Sequence, residues 1–202
     1  MERYFKRGLV PLIVVVCCAT AVMRANPMTG DQPPGWLKNL LSANAEQQKQ
    51  AASDAKGERA QVIQVLSRLL KEKVSEENRA KMASAIKIAG TIRAEELSEE
   101  LVQQIDFLEF GEVIVHRMFS PRRDYIVVDA LVRIGNPSIK PVMERLPTET
   151  KPLNRLLLVT VIKEVEGAEI GKLILEKAVQ QAEGKNKENL EAALKLWSWP
   201  KP

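Results

Sequence analysis

The stretch ALVRIGNPSIKPVMERL, residues 130–146, constrains the fold most, because an amphipathic pattern stops at a glycine and resumes behind two prolines. An α-helix with one buried face carries apolar residues three and four positions apart. That spacing precedes the break at Val127, Ala130, Leu131 and Ile134, and follows it at Ile139, Val142, Met143 and Leu146. Gly135 suits the left-handed position that ends many helices, since it has no Cβ. The stretch therefore predicts a helical hairpin.

The two prolines are predicted to shape the turn of this hairpin. Asn136-Pro137 forms the corner, and Ser138 is expected to cap the second helix. Pro141 then falls in the first turn of that helix, where a backbone N–H has no acceptor within the helix and its absence costs little.

A single hairpin leaves two apolar stripes half exposed, so the chain should contain copies that cover them. The matching positions 45 residues earlier are Met82, Ala85, Ile86, Ala89, Gly90, Ala94, Leu97 and Leu101. The matching positions 31 residues later are Leu158, Val161, Ile162, Val165, Ile170, Leu173 and Ile174, with the turn glycine shifted by one to Gly167. Flanking stripes occur at Val62, Val65, Leu66 and Leu69, and at Leu190, Ala193, Leu194 and Trp197. All these apolar residues are predicted to lie in the core.

The chain resembles proteins of HEAT-like repeats, the armadillo-type α-solenoids, and the quoted stretch is similar to the short-linker repeats of phycobilin lyases. The resemblance covers residues 58–198. The order of IDF at 105–107, an insertion and then this repeat also resembles that of exported bacterial proteins. It implies an all-α, short right-handed α-solenoid of helical hairpins that is used for binding. The aromatic content of 4% also favours packed helices over a β-sandwich.

The first 21 residues resemble a signal peptide. Three basic residues precede an uncharged run of 16 residues from Gly8 to Met23 that contains Pro11. This run is shorter than the roughly 20 residues that cross a bilayer comfortably, although an uncleaved anchor is the alternative. We expect a signal peptide at 1–21, a linker at 22–35, a helical-repeat domain at 36–202 and an extracytoplasmic location.

Cleavage after residue 21 would remove both cysteines, Cys17 and Cys18, and with them any disulfide, thiolate or Cys-ligated metal chemistry. It would also lower the net charge from +4 to +2. The remaining basicity gives little support for nucleic-acid binding.

Residues 106–124 are predicted to be an insertion between repeats, where solenoids often add binding residues. The insertion contains His116, Arg117, Phe119, Arg122 and Arg123. The arginines could bind an anionic partner, or Arg122 and Arg123 could pair with Asp124 and other acidic residues of the stack. Glu112 lies four residues before His116 and could share a metal with it, but no third ligand is evident.

The outward positions of the second helices form a second candidate surface. These positions are Lys140, Glu144, Arg145, Lys172 and Glu176. Their mixed charges indicate a polar groove that binds a protein rather than a basic surface that binds nucleic acid. Trp199 near the carboxyl terminus could also contact a partner or a membrane surface, although a terminal cap is the simpler role.

The sequence contains no recognised catalytic or cofactor motif, and its carboxylate pairs, such as Glu76-Glu77 and Glu99-Glu100, suit helix starts. We therefore expect a non-catalytic exported scaffold for an unknown protein partner, without a cofactor. The alternatives are an accessory subunit or lyase-like enzyme of HEAT-repeat type, and a structural component of the cell envelope.

Overall fold

The computed structural model describes residues 59–109 and 119–198, and within these ranges the chain is helical and contains no strand. The α-helices are α1 (Arg59–Lys71), α2 (Glu76–Thr91), α3 (Ser98–Gln103), α4 (Pro121–Asp124), α5 (Ile126–Ile134), α6 (Ile139–Arg145), α7 (Pro152–Glu166), α8 (Ala168–Gln181) and α9 (Gly184–Lys195). Short 3-10 turns precede α3 (Glu95–Leu97) and α6 (Asn136–Ser138) and follow α6 (Leu146–Thr148) and α9 (Leu196–Ser198).

The first helices of the predicted hairpins, α2, α5 and α7, pack side by side, and the contact between α2 and α5 is the most extensive. The second helices α3 and α6 also pack on each other. Each of these two second helices contacts the first helix of the following pair, α3 on α5 and α6 on α7. The prediction of packed helix pairs is therefore confirmed.

Most of the predicted core positions are buried. All seven apolar positions of the pair built from α2 and α3 are below 9% exposed, and so are six of the eight positions in the pair built from α5 and α6. The other two, Ile139 and Met143, are half-buried. At ~25 cal/mol per Å² of apolar surface, each fully buried leucine or isoleucine contributes about 1.5–3 kcal/mol. These stripes hold the helix pairs together.

The prediction for the second helix of the third pair, α8, is wrong in register. Ile170 and Leu173 are 58% and 63% exposed, whereas Gly171 and Leu175 are buried. A Cβ on Gly171 would lie 2.8 Å from Cη2 of Trp197. The glycine lets α8 approach the end of the chain closely, and this contact turns Ile170 and Leu173 outward. Helix α9 contacts the Leu146–Thr148 turn that follows α6.

Gly90 matches the helix-ending Gly135 in the repeat register, but it does not end its own helix. Helix α2 continues to Thr91, and a Cβ on Gly90 would lie 2.8 Å from the Cα of Ala130. Gly90 is therefore a contact glycine that lets α2 and α5 approach closely, and the turn takes its positive φ of 50° at Arg93. Gly135 and Gly167 do end their helices with positive φ, 85° and 79°, as predicted.

Ser138 does not cap α6. Its hydroxyl donates to the backbone oxygen of Gly135 at 2.8 Å, because the chain already turns helically from Asn136. Pro141 lies in the first turn of α6, as predicted, and is buried. At the start of α2, Ser75 and Asn78 form a capping box, and Glu76 and Glu77 occupy the first turn, as their charge favours.

Both ends of the predicted 106–124 insertion pack on the helices. Phe107 is buried, and the guanidinium of Arg79 lies 6.0 Å from its ring centroid. Helix α4 contacts both α5 and α7. Glu112, His116, Arg117 and Trp199 lie outside the described residues, as do the predicted signal peptide and linker. Among the described helices, none is both long and apolar enough to span a membrane.

Candidate functional site

A cleft of about 550 Å³ opens where the second helices α3 and α6 meet. Its walls come from the two helices and from the segment that follows α6, and the lining residues are Glu99, Val102, Gln103, Pro141, Glu144, Arg145, Thr148 and Glu149. Glu144 and Arg145 were among the predicted binding residues. The cleft therefore lies on the second-helix surface that the sequence pointed to.

Arg145 links the two sides of this cleft by hydrogen bonds. Its Nη1 donates to the backbone oxygen of Val102 at 2.8 Å and to Oε1 of Gln103 at 2.9 Å, which fixes the end of α3. Its Nε and Nη2 donate to Oε2 of Glu149 at 3.1 and 2.9 Å. Arg145 therefore positions two walls of the cleft rather than projecting freely toward a partner.

Glu149 is the buried end of this ion pair, with an exposure of only 7%. Its Oε1 accepts the backbone N–H groups of Thr150 and Lys151, both at 2.9 Å. Its Oε2 accepts from Nδ2 of Asn154 at 3.1 Å as well as from Arg145. Burial raises the pKa of Glu149, but these hydrogen bonds outweigh it and lower the pKa to about 2. The carboxylate is therefore charged at neutral pH and ties the cleft to the start of α7.

The other two carboxylates of the cleft are exposed. Nζ of Lys140 lies 3.9 Å from Oε1 of Glu144, and the Lys140 side chain is 83% exposed. For Glu99, the described residues provide no cationic group within 4.0 Å. Its neighbour Glu100 differs, because it binds Lys71 at 3.2 Å. With three carboxylates and one guanidinium in its lining, the cleft carries a net negative charge.

The described arginines of the insertion, Arg122 and Arg123, pair with acidic residues of the stack, as the second of the two interpretations expects. Arg122 binds Asp129 at 2.9 Å and Glu164 at 3.3 Å, so it joins α4 to α5 and α7, and the hydrogen bond to Asp129 raises its pKa. Arg123 binds the carboxylate of Asp124 at 2.9 Å. Both arginines have a structural contact within the described chain.

The remaining predicted binding residues lie elsewhere. Phe119 packs edge-to-face against the buried ring of Tyr125, with centroids 6.0 Å apart. Lys172 and Glu176 pair with each other at 3.6 Å on α8, away from the cleft lining. The structure thus brings Glu144 and Arg145 into one cleft, beside Lys140, and leaves the other described candidates outside it.

Sequence reasoning missed Glu99, Gln103, Thr148 and Glu149, although one available signal identifies two of them. The 45-residue register that aligns the hairpins also places Glu99 at the position of Glu144, and Gln103 at that of Thr148. Glu99 and Glu144 thus occupy equivalent outward positions on the two second helices, and Thr148 lies in the 3-10 turn that follows α6. Glu149 carries no such signal, because its role depends on the fold of the segment that follows α6.

In the described part of the chain, no three His, Cys, Asp or Glu side chains are grouped closely enough to hold a metal ion. Comparisons with protein-family models, curated proteins and solved structures found no match to the chain.

Proposed function

We propose that the chain is a non-catalytic, exported scaffold protein with a short right-handed solenoid of HEAT-like repeats, and that it binds a protein partner in the cleft between α3 and α6. The solenoid is supported by the packing order, in which the first helices α2, α5 and α7 contact one another in sequence and the second helices α3 and α6 contact each other. Repeats stacked in this way create an extended surface along their second helices.

The cleft is the observation that carries the proposal. Its inner wall is fixed before any partner arrives, because Arg145 and Glu149 are already satisfied by contacts within the chain. Its outer wall offers exposed polar side chains at Glu99, Gln103 and Glu144. A preformed cleft loses less conformational entropy on binding than a mobile loop does. This arrangement suits recognition of another molecule.

Export is a separate part of the proposal and rests on the amino-terminal sequence. Residues 1–21 would direct the chain out of the cytoplasm and then be removed, or would remain as an anchor. The mass of the mature chain, recovered from the extracytoplasmic fraction of its own cells, distinguishes these outcomes. A cytoplasmic chain that keeps its first residue would contradict the export proposal.

Site-specific photo-crosslinking tests the cleft. A photoreactive residue replaces Thr148, which is exposed in the cleft, and in a matched control it replaces Thr91, which is exposed on α2. The Thr148 hydroxyl donates to the backbone oxygen of Arg145, three residues earlier, and the Thr91 hydroxyl donates to that of Lys87, four residues earlier. The two substitutions therefore remove similar contacts. We expect a discrete protein adduct from position 148 only. Equal labelling from both positions, or none from 148, would contradict the proposed binding site.

A further inference from the structure

We infer that the partner presents a basic, extended segment to the cleft, with lysine or arginine side chains that bind Glu99 and Glu144. This inference rests on the proposed function and adds the chemistry of the partner.

Charge is the first argument. The positive group of Arg145 is neutralised by Glu149, so it does not offset the other carboxylates of the cleft. Among the described residues, the cationic group within 4.0 Å of Glu144 is the highly exposed ammonium of Lys140, at 3.9 Å. A cation placed between Glu99 and Glu144 gains two attractive interactions, whereas a phosphate or carboxylate would be repelled by both. The cleft therefore selects for positive charge.

Hydrogen-bonding capacity is the second argument. The donors of Arg145 are engaged by Val102, Gln103 and Glu149. The outer wall offers carboxylate oxygens, together with the hydroxyl oxygen of Thr148, which can still accept while it donates to Arg145. Lysine and arginine side chains donate hydrogen bonds and accept none. Their chemistry complements these acceptors, beside which Gln103 also presents its amide nitrogen as a donor.

Spacing is the third argument. Glu99 and Glu144 occupy equivalent positions on two helices that pack on each other. Packed helices lie about 8–10 Å apart, and an extended chain in the polyproline II conformation advances about 3.1 Å per residue with three residues per turn, so residues three positions apart lie on the same face. Basic residues separated by three positions therefore match the separation of the helices. This geometry favours an extended peptide that crosses both helices over a single small cation.

Fluorescence anisotropy with a defined peptide tests the inference. The probe is a labelled alanine-serine peptide with two lysines three positions apart, and its twin carries acetyl-lysine at both positions. The full chain is compared with Glu99→Gln, Glu144→Gln and the double variant. Glu176→Gln is the matched control, because Glu176 also lies four residues after a lysine but on α8. All three glutamates lie at the surface, so the variants should fold, as circular dichroism would verify.

We expect each cleft variant to weaken binding by about 2- to 5-fold and the double variant by about 5- to 30-fold. The control should bind as the wild-type chain does, and added salt should weaken binding of the lysine peptide. Acetylation should remove the difference between wild-type and variant chains.

The inference is wrong if the acetylated peptide binds as tightly as the lysine peptide, or if Glu176→Gln weakens binding as much as the cleft variants do. If either result occurs while position 148 still crosslinks a partner, the scaffold proposal stands and only the basic character of the partner fails. If position 148 also captures nothing, both proposals fail.

Discussion

Mild acid should destabilise this protein through the buried carboxylate of Glu149. Its pKa falls from the usual 4.5 to about 2 in the folded chain. A difference of one in pKa corresponds to about 1.36 kcal/mol, so the charged carboxylate contributes about 3 kcal/mol to folding at neutral pH. As the pH falls below about 4.5, the unfolded chain takes up the proton first, and only about 1 kcal/mol remains near pH 3.

Urea unfolding followed by far-ultraviolet circular dichroism measures this loss at a series of pH values. Between about pH 6 and about pH 3, the wild-type chain should lose about 2 kcal/mol more than Glu149→Gln does. Glu176→Gln serves as the control, because it makes the same substitution at a glutamate outside this cluster.

Equal pH dependence in wild-type and Glu149→Gln chains would refute the reasoning. The glutamine amide places its own N–H donors opposite the donors of Arg145 and Asn154. Among the described residues, the Oδ1 of Asn154 accepts no hydrogen bond, so it could accept one from the glutamine if the Asn154 amide flips. Should this variant fail to fold, a carbon-detected NMR titration of the wild-type carboxyl gives the same answer. Protonation of Glu149 above about pH 4 would contradict the assignment.

Three further substitutions test the packing by their effects on the free energy of unfolding. Gly90→Ala should destabilise by about 1–3 kcal/mol, because its Cβ would lie 2.8 Å from Ala130, whereas helix propensity alone predicts a gain of about 1 kcal/mol. Leu175→Ala should lower the free energy of unfolding by about 2–5 kcal/mol, because Leu175 is buried, whereas Leu173→Ser should change it by no more than about 0.5 kcal/mol. A larger loss for Leu173→Ser than for Leu175→Ala would show that α8 buries the face expected from the sequence. Arg93→Gly should stabilise by up to about 1 kcal/mol, because it relieves a positive φ, and a clear loss in urea unfolding would show that the arginine is unstrained.

Apolar spacing was sufficient to predict the helix pairs. In residues 82–101 every apolar position matched by the 45-residue shift is buried, because spacing of three and four residues directly reports which face of a helix meets its neighbour. The third pair shows the limit of this argument. Ile170 and Leu173 have the same spacing but are exposed, because the close packing of Gly171 against Trp197 sets the rotation of α8.

Glycines were harder to interpret than apolar residues. Gly90 and Gly135 align in the repeat register, yet Gly135 ends a helix while Gly90 lies inside one. Glycine serves both where φ is positive and where two backbones approach closely, and the sequence alone does not separate these reasons. Here the close approach of α5 decides the role of Gly90.

The candidate site was predictable only in part. Glu144 and Arg145 were identified from their outward positions, but the sequence could not show that Arg145 turns back to the end of α3 and to Glu149. Such contacts depend on side-chain conformations across two repeats and leave no periodic signal. Arg122 and Arg123 were simpler, since acidic residues stand close to them on the same or adjacent helices.

The contacts of Arg145 have a consequence for how the molecule opens. One guanidinium joins the end of α3 to Glu149, and Glu149 in turn holds the first backbone N–H groups ahead of α7. In a stack of repeats each unit contacts only its neighbours, so individual repeats can unfold separately. Here α3, α6 and α7 should exchange their amide hydrogens at closely similar rates, as a single cooperative unit.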